Sequence, residues 1–372
     1  MNFLSLKPEA FGLDISDLSL KILKLKKRRK FFSLASFGEE RIKPGIIEGG
    51  EIKDEEKLTE ILKEAVKKVK GEKLKTKYCV VSLPEEKAFL QVIQMPPMPK
   101  EDLKSAVLFE AENYIPLPVE KVYLDSQIIS PVSPSLNKVE VLISAIPREI
   151  ADSYLACLKK AGLQPLAFEI ESLAIARAVI KNEESDFPVL IVDIGETRTS
   201  FIIFAGKSVR FTSSIAVSGQ LFTQSIAKNL KISLVKAEEL KRKYGLGEKI
   251  VLKLGEETKK EKGEIFEALI PPLVDLTQQI KKCLSYFETH DLLPFFPPER
   301  KKIQKIILSG GGANLKGLLN FLKYELNLPV VLGDSFINLP LAKSEFEKMP
   351  FEKSLSFTTA VGLALRGIEK ND

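Results

Sequence analysis

The chain has 372 residues, 44% hydrophobic and 28% charged, with 56 Lys and Arg against 50 Asp and Glu and a formal net charge of +6. That length exceeds the range over which one core keeps growing, which predicts two or more packed units; no apolar run approaches the roughly 18 residues of a membrane span, and the small net charge gives no nucleic-acid footprint. Cys79, Cys157, Cys283 and the single His290 leave no zinc spacing, no paired disulfide framework and no Ser-His-Asp or Cys-His nucleophile system.

The opening MNFLSLKPEAF lacks the basic segment and long apolar core of a signal peptide, so a cytoplasmic chain is expected. Next, FGLDISDLSLKIL (11–23) is an apolar run into Asp14, a polar turn and a return, the pattern of a hairpin. The basic run KLKKRRK (24–30) suits an anionic membrane surface or nucleic acid, but it continues the alternation of Ile22, Lys24 and Lys26 against Leu23 and Leu25, which favours an exposed strand and its turn. A strand FFSLASF, a turn IIEGGEI, an amphipathic helix over 54–70 with Leu58, Ile61, Leu62, Ala65 and Val66 on one face, and a buried strand YCVVSLP complete one α/β unit. Over 89–146 the character changes to strand, helix, strand, strand, with prolines at 96, 97, 99, 116 and 118 bracketing a helix over 100–114. A helix over 148–161, the strand LAFEI and the helix ESLAIARAVI follow.

The device then returns. VLIVDIGETRTSFII (189–203) again runs into an aspartate, turns and comes back, and Asp193 lies 179 residues after Asp14, too far for a solenoid period and suited to a duplicated domain. Helices SGQLFTQSIAKNL and AEELKRKYG come next. The charged EETKKEKGE (256–264) is expected to be a surface excursion before a long helix over 266–287. In IQKIILSGGGANLKGLLNFLKYEL a buried strand then enters three glycines and a helix, and SFTTAVGLALRGI is a final packing helix without a long tail.

An aspartate at a strand tip, beside backbone N–H groups freed by a tight turn, suits a magnesium phosphate: the carboxylate holds metal-bound water and the N–H groups and small hydroxyls hold phosphate oxygens. Two such turns facing each other would clamp both sides of a triphosphate, although either alone reads as an ordinary hairpin. The third element tips the balance. Gly310, Gly311 and Gly312 stand between a buried strand and a helix, where missing Cβ atoms let a base or phosphate approach, and no GxxxxGK[ST] or dinucleotide fingerprint competes.

These motifs resemble the two phosphate turns and the adenosine turn of the actin-like ATPases. Within them the chain resembles the PilM family of type IV pilus assembly proteins, with the FtsA cell-division proteins as cousins, essentially end to end: GLDIS, PPMPKEDLKSAVLFEAENYIPLP, FEIESLAIARA, VDIGETRTS, AEELK and LSGGGANLKGL. The resemblance implies an α/β, duplicated actin-like (ribonuclease H-like) ATPase fold with two lobes around a nucleotide cleft. The first lobe would comprise 1–88 and 147–187, completed by 355–372; the small strand-helix-strand-strand subdomain 89–146 would be inserted in it; the second lobe would span 188–354, with its own insert at about 235–270.

The implied cofactors are ATP and Mg2+. Asp14 and Asp193 would hold magnesium water; Ser16, Ser19, Lys21, Gly195, Thr197 and Thr199 would meet phosphates; Gly310, Gly311 and Gly312 would meet the nucleoside, and Glu238 and Lys241 the ribose and adenine. Glu171 falls where the superfamily orients attacking water, and it reads equally as a helix-start acid, just as Glu238 and Lys241 read equally as an i,i+3 surface pair. The implied role is a cytoplasmic scaffold at the inner face of the membrane, meeting the membrane through a PilN-type partner whose short N-terminal peptide lies beside the inserted subdomain, with Phe89, Leu90 and Tyr114 as first guesses for that groove. An FtsA-like filament protein is the alternative. Two departures, Ile-Ser-Asp at 15–17 and Ser218-Gly219 in place of paired glycines, argue for ATP binding with at most slow hydrolysis.

Overall fold

The computed structural model describes residues 8–28, 31–129, 138–247, 256–294 and 296–368. The expected absence of a leader in 1–7, the last two residues of the basic run and the end of the chain lie outside them.

The first repeat folds as an antiparallel meander, β1 (Phe11–Ile15), β2 (Ser19–Arg28) and β3 (Phe31–Arg41), followed by a two-strand ribbon, β4 (Ile47–Glu48) and β5 (Glu51–Ile52). Helix α1 (Glu55–Lys67) starts where its chemistry demands: the Asp54 carboxylate accepts the Lys57 N–H at 3.0 Å, Glu55 and Glu56 sit at the positive end of the dipole, and Leu58, Leu62 and Ala65 are buried. Short β6 (Lys70–Gly71) and β7 (Tyr78–Leu83) follow. Then β8 (Phe89–Met95), α2 (Lys100–Ala111), β9 (Val122–Ile128) and β10 (Val139–Pro147) form a separate three-stranded sheet in the order β8-β10-β9 with its own small core. The chain returns through α3 (Arg148–Lys160), β11 (Gln164–Ile170) and α4 (Glu171–Val179).

The second repeat has the same plan: β12 (Ser185–Ile194), β13 (Thr199–Gly206) and β14 (Ser208–Ile215), then α5 (Gly219–Leu230), α6 (Leu234–Tyr244), α7 (Glu256–Thr289), β15 (Lys305–Ser309), α8 (Leu318–Leu326) and β16 (Val330–Leu332). The orders β3-β2-β1-β7-β11 and β14-β13-β12-β15-β16 superpose strand for strand, each with an antiparallel hairpin and a parallel neighbour beside its central strand. Duplication is therefore present in topology as well as in sequence. Helix α7 begins at Glu256, so EETKKEKGE forms the first turns of the long helix: Glu and Lys are strong helix formers, and a charged run without apolar periodicity still propagates a helix.

Short α9 (Lys343–Lys348) and α10 (Phe351–Ser356) lead to α11 (Thr358–Ile368), which packs beside α4 between the two large sheets. There β1 approaches α11 so closely that a Cβ on Gly12 would lie 2.3 Å from the Ala360 carbonyl oxygen, which fixes glycine at that position. Among the described residues no helix is long and apolar enough to cross a membrane.

Candidate functional site

A cleft of about 1040 Å³ opens between the two repeats at the ends of β1 and β12. At its floor Asp14, 5% exposed, accepts from the Ser82 hydroxyl at 3.2 Å and lies 3.7 Å from the Lys21 ammonium, its partner across the β1–β2 hairpin. Lys21 also donates to Ser19 Oγ at 2.8 Å, and the turn is closed by the Ser16 N–H donating to the Ser19 carbonyl at 2.9 Å. Asp17 does not add a carboxylate to this wall. It points away, accepting the Gly50 N–H at 3.0 Å and facing Arg198 at 3.4 Å.

From the other repeat, Asp193 ends β12 and the turn behind it is stitched shut: the Gly195 N–H donates to Arg198 O, while Gly219 N–H and Gln220 N–H, the first donors of α5, go to the Gly195 and Glu196 carbonyls. Ser218 caps the same helix in place of a glycine, accepting from Leu221 N–H. Thr197 lines the cleft, but Thr199 does not: it is fully buried and its hydroxyl donates to Val217 O at 2.7 Å. Strand alternation explains this, since β13 starts at Thr199 and turns the next side chain, Ser200, to the cleft.

Glu171, the first residue of α4, joins the two aspartates and is exchanged with Glu85 in a reciprocal cap: Glu85 N–H faces Glu171 Oε2 at 3.5 Å and Ser172 N–H donates to Glu85 Oε2 at 3.0 Å. Burial pushes all of these carboxyls up. Asp193 rises to about 6, with Asp14 adding to the effect and Ser309 opposing it; Glu171 rises well above the usual range through burial, then Asp14, Glu85 and Asp193; Asp14 rises less freely because Lys21 and Ser82 oppose its burial. Three carboxylates share this space with Lys21, an arrangement that favours an added cation. Among the described residues no three ligand-type side chains converge closely enough to hold a metal directly.

Toward the outer wall, Glu238 is saturated: Lys241 lies 2.7 Å from one oxygen, Arg242 donates to the other at 2.7 Å, and Thr223 donates as well. Although burial opposes it, these hydrogen bonds and the Lys241 charge hold Glu238 down to about 2. Lys241 donates in turn to Gly219 O at 2.8 Å. The three glycines after β15 have different causes. A Cβ on Gly310, whose φ is +80°, would lie 2.4 Å from Ile194 O, and one on Gly312 would meet Ile194 Cγ2 at 2.3 Å, so both are required by the approach of β12. All three line the cleft, but Gly311 is the exposed one, where an added Cβ would meet nothing nearer than Ser356 Cβ at 3.6 Å.

Residues that carry no motif also shape the site. Arg41 grips Glu196 with both terminal nitrogens, at 2.5 and 2.7 Å, bridging the repeats at the mouth. Deeper in, the buried Arg198 reaches from the second turn to Asp17 and Glu86 of the first repeat. A second, apolar cavity of about 290 Å³ lies where the inserted sheet meets the first repeat, lined by Tyr123 and Ile146 on one side and Leu83, Ala151, Leu155 and Phe168 on the other, with Asp152 accepting from the Tyr123 hydroxyl at its rim. Phe89, Leu90 and Tyr114 do not line it.

The profile of the family described as type IV pilus assembly protein PilM matches residues 12–368. Among solved structures the chain is similar to a PilM-PilN type IV pilus biogenesis complex, at 28% identity and a TM-score of 0.79 over 98% of this chain and 100% of that one. It is also similar to MreB 5 of Spiroplasma citri bound to AMPPNP, at 14% identity and a TM-score of 0.53 over 97% and 96% of the two chains, a likeness of fold alone. Among curated proteins it is similar to the cell division protein FtsA of Pseudomonas aeruginosa, 27% identical over 244 residues, 63% of this chain and 54% of that protein. The chain spans about half the length of the curated relatives it matches.

Proposed function

The chain belongs to the type IV pilus assembly protein PilM family, and we propose on that premise that it is an ATP-binding, actin-like scaffold of a pilus or related secretion platform, which captures the short cytoplasmic peptide of a PilN-type membrane protein. The observation that carries the nucleotide half is the gathering of Asp14, Glu171 and Asp193 at the floor of one cleft with burial raising all three carboxyls. Asp14 and Asp193 would hold the waters of a magnesium ion; Lys21, Ser16, Ser19, Gly195 and Thr197 would meet the phosphates. Thr199, bonded to Val217, is withdrawn from that set. Gly311 would face the nucleoside, with Gly310 and Gly312 shaping the turn, while Glu238 and Lys241 would form its polar wall. The magnesium would supply charge neutralisation for the triphosphate. Glu171 is the residue assigned to orienting water; burial, then Asp14, Glu85 and Asp193, raise its carboxyl well above the usual range, the direction that strengthens a carboxylate as a general base.

For the partner half, the apolar cavity beside the inserted sheet is flanked by β9 and β11, each at the edge of its sheet, and Tyr123 and Leu166 there are about two-fifths exposed. An extended peptide docks on such an edge by backbone pairing while alternate side chains fill the pocket. Two binding assays separate the halves. A fluorescent ATP analogue should bind with magnesium and lose affinity on chelation, and a labelled partner peptide should bind wild type but not Leu155→Glu, which keeps the ATP analogue. Magnesium-independent analogue binding would contradict the nucleotide half, and full peptide affinity in Leu155→Glu would contradict the groove.

A further inference from the structure

The fold joins two basic runs that the sequence keeps apart. Residues 24–28 and 63–77 together hold ten Lys and one Arg against Glu64 and Glu72, a net charge of +9 where the whole chain carries +6, so the rest of the molecule is net negative at −3. They meet because β3 lies between β2 and β6: Arg28 pairs with Phe31, and Phe37 with Lys70. Local acids are few: Glu9 lies 2.6 Å from the buried Lys24, Glu40 lies 3.6 Å from Lys68, and Glu64 faces Lys67 and Lys68. Glu72 serves both Lys26, at 2.9 Å, and Arg28, at 3.4 Å, and Lys27, Lys73 and Lys75 are exposed. Beside Arg28 at the end of the hairpin, the Phe31 ring is 52% exposed.

We propose that this end of the first sheet is a contact surface for an anionic lipid bilayer. It is remote from the nucleotide cleft, since Arg28 lies seven positions along β2 from Lys21, a span of about 24 Å. The composition selects the partner. Lysine is a compact, strongly hydrated point charge without the bidentate fork by which arginine recognises individual phosphates, and ten lysines to one arginine suit a smeared headgroup layer. One exposed phenyl ring among cations suits shallow insertion between headgroups, whereas single-stranded nucleic acid calls for a groove with several stacked aromatics.

Sedimentation of the full chain with phosphatidylcholine vesicles, with or without phosphatidylglycerol, tests this. Wild type should pellet only with the anionic vesicles, and partitioning should fall roughly fivefold for each cation removed, tested with Lys27→Ala, Lys73→Ala and Lys75→Ala singly and combined. Phe31→Ser should weaken binding while leaving its salt dependence unchanged. No pelleting of wild type at about 0.1 M salt, where the screening length is near 10 Å, would overturn the proposal, as would equal pelleting of the triple variant. Tighter capture of wild type by duplex DNA than by anionic vesicles would overturn the lipid assignment. Magnesium ATP binding, read in the same variants, should stay at wild-type level, which separates this surface from the cleft.

Discussion

Replacing Asp193 with Asn should make the nucleotide-free protein more stable. Burial raises this carboxyl from 3.8 to about 6, so the folded state holds its proton more tightly than the unfolded chain, and stability is lost as pH rises from about 4 through 6. A shift of about two units corresponds to about 3 kcal/mol. Because Asp193 faces an open cleft, solvent screening reduces that to about 1–2 kcal/mol. Asn matches Asp in size and shape, so little packing is lost. Urea melts without nucleotide or magnesium should show Asp193→Asn ahead by that amount at about pH 7.5 and level with wild type below about pH 4; the thermal midpoint should rise by about 1–3 °C at the higher pH. Equal or lower stability at the higher pH, or an increment that does not depend on pH, would refute the view that burial in the cleft holds this carboxyl above its usual range.

Other substitutions sort the contacts by burial. Arg198→Ala strands Glu86 and Asp17 in a buried setting and should cost about 2–4 kcal/mol in urea melts, whereas Arg41→Ala, whose side chain is mostly exposed, should cost less than about 1 kcal/mol despite its bidentate geometry. Glu140→Ala breaks the 2.7 Å pair with Arg210 that fastens the inserted sheet to β14; both partners are 2% exposed, so the loss should be about 3–5 kcal/mol and should be partly recovered when Arg210 is also replaced by Met. Gly310→Ala should destabilise by more than about 2 kcal/mol because both its φ and its clash with Ile194 forbid a side chain; Gly311→Ala should leave stability unchanged and lower affinity for magnesium ATP, read by dialysis.

The repeat was legible because it is local: each copy is a strand, an aspartate and a return within about a dozen residues, and periodicity reports such units directly. The strand-helix-strand-strand order over 89–146 and the amphipathic helix after Asp54 follow from the same kind of signal. What stayed hidden depends on pairings across the chain. Ser82 reaches Asp14 over 68 residues and Arg41 reaches Glu196 over 155, and neither serine nor arginine is unusual enough in its own segment to announce a role. Thr199 was misassigned because its motif places it beside Thr197 while strand alternation turns it inward. Two glycines of the triplet answer to the close approach of Ile194, a pairing across the chain that their own segment does not announce. The second basic run lies in and behind α1, and only the β3–β6 pairing brings it to the first.

Calorimetric titration of the full chain with magnesium ATP, alone and after saturation with the cytoplasmic peptide of its membrane partner, tests the central claim most directly. The account predicts that wild type binds both, and that Asp193→Ala, folded and still binding the peptide, loses the ATP heat. A folded wild type that binds no magnesium ATP, or an Asp193→Ala protein that binds it with undiminished affinity, would contradict it.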